Sequence, residues 1–191
     1  MTINFLLSKS LYLLGGFPPT WCYQHNLLHH GFTNVDGKDE DIDRISFLRF
    51  SPHRPLFKIH RLQQFYAWFF YGLMTISWST RKDFKQVLAY KREGVVLDKS
   101  KSYKYMIVDL IVSKIIYYAI FLVIPILVLP ISWAWILLFY FMRHFISGFI
   151  LSAIFQTAHV VPSSEYPLLD SKGQMKFNWA IHQLHTTANC S

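Results

Sequence analysis

"LPISW", residues 129–133, interrupts an apolar run that extends from Met106 to about Ala158. Crossing about 30 Å of hydrocarbon takes roughly 20 helical residues. The run therefore divides into two crossings, near 107–129 and 133–155, turning at Pro130 and Ser132. A connection this short makes them an antiparallel transmembrane hairpin. Trp133 and Trp135 stand where an aromatic belt would place them.

Composition agrees. The 191 residues are 52% hydrophobic and only 16% charged, against roughly 25% charged in soluble domains. The net charge of +8 would also suit nucleic acid. However, the basic residues flank apolar runs and form no recognised binding motif, so no nucleic-acid partner is expected. Cys22 and Cys190 set up no disulfide framework. The N-terminus, with Lys9 interrupting its apolar run, does not read as a signal peptide.

Orientation follows from charge. Residues 81–104 carry eight Lys or Arg against three acids, and the turn near Pro130 carries none. The positive-inside rule puts the basic segment on the cytoplasmic side, with the turn facing outward. Two crossings return the chain to the side it left, so residues before and after the hairpin share the cytoplasmic face. "QFYAWFFYGLMTISW", 64–78, is short of a full span and rich in Trp and Tyr. It reads as an interfacial or re-entrant helix, the alternative being a third full crossing that would put the histidine clusters on opposite faces. Arg143 and His144 lie within the second crossing, where polar side chains usually face a protein interior.

"WCYQHNLLHHGFTNVDGKDEDID", residues 21–43, gathers three of the nine histidines into six positions. As an α-helix it stacks His25 above His29, the spacing at which two imidazoles reach one metal, and turns His30 about 100° further round. Neutral imidazole suits iron, zinc, copper or nickel. The ordinary alternative is a set of solvent-facing or interfacial rings. Asn26, Thr33 and Asn34 fit ligand-orienting hydrogen bonds or plain caps and turns. The acids Asp36, Asp39, Glu40, Asp41 and Asp43 do not follow an EF-hand pattern. They read as a solvated turn and helix start, or as an electrostatic support for the histidines.

This stretch resembles the second histidine box of membrane fatty acid desaturases, in the branch of bacterial linoleoyl-CoA and acyl-lipid desaturases. The likeness continues through "LRFSPH", "YAWFFYGLMTISW", "FQTAHVVPSSEYP" and "NWAIHQLHTTANCS", covering nearly the whole chain in the family's order. It implies a single desaturase domain over 1–191, present as its central portion. The implied fold is an all-α integral membrane protein, a transmembrane helical hairpin with cytoplasmic and interfacial helices carrying the histidine cluster. The implied chemistry is a di-iron centre that uses O₂ to introduce a cis double bond into an acyl chain. The substrate would be an acyl-CoA or acyl-lipid, with electrons from a carrier such as ferredoxin or cytochrome b5. By motif match, His25, His29, His30 and His159 correspond to iron ligands. His182 and Gln183 match a motif of this branch without a clear role. His185, His53, His60 and His144 carry no expected metal role.

Family members also carry an H-D-x-x-H box ahead of this one and an H-x-x-H-H box behind it. The sequence has no histidine before His25 and stops at Ser191, with Cys190 where the family usually has Phe. Two six-coordinate irons need about a dozen ligand positions, so the expectation is no desaturase activity from this polypeptide alone. A non-catalytic membrane remnant or partner subunit, a related lipid hydroxylase, and a zinc site are the competing readings.

Overall fold

The computed structural model describes residues 7–43 and 46–188, so Cys190 lies outside the described residues. Among the described residues every regular element is helical. Two runs are long and apolar enough to cross a membrane, Tyr103–Val128 and Trp133–His159. Only 11% and 22% of their most apolar windows are buried. Core helices of a water-soluble protein would be mostly covered, and a continuous apolar surface of this kind suits lipid contact.

Ser102 opens the first span by accepting a hydrogen bond from the Tyr105 amide. Pro125 explains why this span is not a uniform α-helix. A proline within a helix lacks the amide hydrogen and its ring meets the carbonyl four residues back. The helix widens to i→i+5 spacing over Ala119–Val123 and resumes at Ile124, leaving Pro125 in a first turn that needs no donor. Leu129 then turns extended, at φ −83° and ψ 135°, as a residue preceding proline must. The second span begins at Trp133 and runs to His159, one turn beyond the expected end.

The chain forms two compact units, residues 1–22 with 71–150 and residues 23–70 with 151–191. The first has a small core of Phe17, Val87, Met106 and Leu110. The expected interfacial helix belongs to a longer helical run, Gln63–Gly72, Met74–Ser77, Trp78–Lys82 and Asp83–Arg92. Its Gly72, Thr75, Ser79 and Asp83 recur at spacings of three and four, sharing one face. In the first unit that face meets both spans. A Cβ on Gly72 would lie 2.4 Å from the Phe145 ring, and one on Gly148 would lie 2.7 Å from the Gly72 carbonyl. Tyr118 OH donates to the Ser79 carbonyl.

Several charged and polar residues inside the spans form one set of hydrogen bonds. The Lys114 ammonium donates to the carbonyls of Gly15 and Trp78 and to the Asp83 carboxylate. Thr20 donates to the other Asp83 oxygen. Thr75 donates to the His144 carbonyl, so its oxygen accepts from His144 Nδ1–H. His144 Nε2 is thereby left to accept from Tyr117 OH at 2.6 Å, and Arg143 donates to the Tyr117 oxygen. His144 thus serves this network.

Candidate metal centre

The second unit contains the histidine segment, and its backbone is where the sequence reading is corrected. Cys22–His29 is a π-helix, with the His30 amide donating to the His25 carbonyl at 3.0 Å. With five residues per hydrogen-bonded turn, His30 moves over His25. Their ring centroids are 4.6 Å apart, closer than the 5.3 Å between His25 and His29. The expectation that His30 points to a neighbouring position, apart from the His25–His29 pair, gives way to a ring packed against both. Such widened turns occur preferentially at functional sites. Gly31 closes the turn, since a Cβ there would lie 2.2 Å from the Leu27 carbonyl.

His159, more than a hundred residues later, completes the cluster. Its ring is 4.6 Å from that of His29, and His29 is 5.2 Å from His30. All four histidines singled out from sequence are therefore packed ring to ring. Phe155 covers His25 at 5.6 Å.

The surrounding hydrogen bonds fix these rings. Asp39, fully buried, lies 3.0 Å from His29 Nδ1. Burial disfavours a charged His29 ring, but the hydrogen bond and charge of Asp39, with Asp41, outweigh it and raise its pKa. Burial, together with the neighbouring His29, lowers that of His30. Thr33 donates to the His29 carbonyl. Asn34 adopts φ 59°, which Asn tolerates better than most residues. Its side-chain amide donates to the carbonyls of His159, Glu165 and Thr186. Thr33 and Asn34 thus hold the segment in place, and Asp39 supports a histidine directly. The acidic stretch also supplies the expected helix start at Glu40–Asp43, while Asp36 and Asp43 pair with Arg54.

Helix Trp179–Thr186 packs on the same segment. Trp179 Nε1 and Gln183 Nε2 both donate to the His30 carbonyl, at 2.7 and 3.1 Å. His182 is buried, and its Nε2 lies 2.9 Å from the Thr33 carbonyl. Burial lowers its pKa. His182 is thus a structural tie. His185 pairs with Glu165 and stacks on Phe177. His53 and His60 donate to the carbonyls of Tyr166 and Ser46. The sequence reading missed Asp39 as a specific partner and the Trp179–Gln183 clamp. Their four-residue spacing put the latter two on one helix face, a signal that was present.

Converging imidazoles, with His29 buried and His30 exposed, beside a buried carboxylate make a nitrogen-rich donor set that fits iron as readily as zinc. His25, His29 and Asp41 also offer donor atoms within 4.8 Å of one another.

The fold combines two helices long and apolar enough to cross a membrane with a cluster of imidazoles whose chemistry fits a metal. The family model for fatty acid desaturases matches residues 2–191, and the chain belongs to that family. It is 30% identical to an sn-1 linoleoyl-lipid 6-desaturase of Synechocystis over 98% of its own length and 52% of the relative's. It is 29% identical to one of Arthrospira platensis, covering 98% and 50% respectively. Against an acyl-lipid (8-3)-desaturase of Mortierella alpina it is 28% identical, covering 87% and 37%. The chain thus spans about half the length, or less, of these curated relatives. No solved structure matches it.

Proposed function

We propose that this chain forms part of a multi-pass membrane di-iron desaturase acting on acyl chains carried by lipids, with its histidine cluster on the cytoplasmic side. Family membership supports the reaction class, and the names of the relatives support an acyl-lipid over an acyl-CoA. The observation that carries the reading is the packing of His25, His29, His30 and His159 into one cluster from two distant stretches of sequence.

These four residues would hold iron. Iron held there would supply oxygen activation and removal of hydrogen from an unactivated methylene, with electrons from a carrier such as ferredoxin or cytochrome b5. The chain's own residues do the rest. Trp179, Gln183, Thr33 and Asn34 fix the backbone from which the imidazoles project, so ligand geometry is set before metal arrives. Phe155 shields one side of the cluster from water.

The test is iron content and lipid composition together. The chain is expressed in a host that supplies saturated or monounsaturated acyl-lipids, within its full-length gene product where the gene extends further. Iron is measured on the purified protein and fatty acids by gas chromatography. His159→Ala is expected to lose most of the bound iron and any new double bond. Full iron loading of a variant lacking His29 and His159 would refute the ligand assignment. A hydroxylated product would move the reaction to the related hydroxylases.

A further inference from the structure

We infer that Asp39 is a positioning residue that sets which nitrogen His29 offers to a metal. The inference rests on the reading of His29 as a ligand. His29 Nδ1 faces both Asp39 oxygens, at 3.0 and 3.1 Å. Each oxygen has a further donor: the Asn34 amide on Oδ2 at 2.9 Å and the Asp41 amide on Oδ1 at 3.0 Å. An ionised carboxylate only accepts hydrogen bonds, so His29 Nδ1 must carry the proton. The neutral ring then has its lone pair on Nε2. In water the balance is the reverse, with the proton mainly on Nε2. The fold overrides that preference with a carboxylate fully removed from solvent.

The assignment also decides between two sites. Asp41 approaches the same His29 nitrogen, Nδ1, at 3.6 Å. A metal shared by Asp41 and that nitrogen would have to displace its proton and break its bond to Asp39. A metal held through Nε2 leaves the Asp39 bond intact, and Asp41 remains an acceptor for Gln24. Asp39 therefore directs His29 away from the Asp41 site.

The test uses the full chain, purified metal-free in detergent and labelled with ¹⁵N-histidine. Long-range ¹H–¹⁵N correlation reports the tautomer, and His29→Gln assigns the signal. Co(II) titration, followed by its visible absorption, reports the site. The expected result is a proton on Nδ1 in the wild type and on Nε2 in Asp39→Ala, with Co(II) affinity falling roughly 10- to 100-fold in that variant. Asp39→Asn keeps an acceptor oxygen and should retain the wild-type tautomer with a smaller loss. Asp41→Asn should leave affinity nearly unchanged. A wild-type proton on Nε2 overturns the inference whatever the Asp39 variants do. So does an Asp41→Asn loss equal to that of His29→Ala. If His29→Ala binds Co(II) as tightly as wild type while the tautomer is as expected, the ligand reading is what has failed.

Discussion

Asn34 combines a left-handed backbone with three hydrogen bonds that join the histidine segment to the ends of two helices. Asn34→Ala loses both, and is expected to cost about 3 kcal/mol by denaturant unfolding in mixed micelles. Asn34→Gly keeps the conformation and should cost about 1 kcal/mol less. Equal stability of Asn34→Ala and wild type would show that the side chain holds nothing. His182 gives a pH prediction. Its folded pKa is depressed by burial, so the unfolded chain binds its proton more readily. The stability it contributes is present above the unfolded value of about 6.5 and is lost as pH falls through and below it. Wild type should lose more stability between pH 7 and 5 than His182→Gln, and the reverse order would contradict this.

At the scale of elements, the contact of the 71–92 stretch with the two spans depends on missing side chains. Gly148→Leu would drive its side chain into the Gly72 and Tyr71 carbonyls, which already lie within 3 Å of a Cβ position. Backbone cannot yield as a flexible side chain does, so a loss of about 1–3 kcal/mol is expected, measured as a lowered midpoint of thermal unfolding in detergent. The Lys114–Asp83 pair is the second fastening. Lys114→Met leaves a buried carboxylate and two carbonyls without their donor, and should cost about 3–5 kcal/mol. Lys114→Met as stable as wild type would mean the pair is hydrated. The π-turn is the element that sequence patterning did not reveal. Residue spacing assumes a helical period, and an i→i+5 register from His25 to His30 depends on the packing of Trp179 and Gln183 on the last turn.

At the scale of the molecule, the proposed cytoplasmic orientation predicts labelling. With Cys22 and Cys190 replaced by Ser, single cysteines at Leu27 and Leu168 should react with an impermeant maleimide from the same side. One at Ile131 should react from the other. Labelling of Leu27 and Leu168 from opposite sides would end the case for a shared metal site.

By itself the sequence determined the two spans, the turn between them and the four histidines, because hydrophobic length, proline and residue type are properties local to the chain. His25, His29 and His30 were legible from their spacing, and His159 from its motif. Only the tertiary structure decided that His30 lies over His25, that Asp39 and not Asp41 holds His29, and that His182 and His144 serve hydrogen bonds. Those outcomes turn on which carboxylate is buried and which carbonyl or hydroxyl lies within 3 Å of a ring nitrogen. Five acids in eight positions carry no mark of that until distant helices close over them.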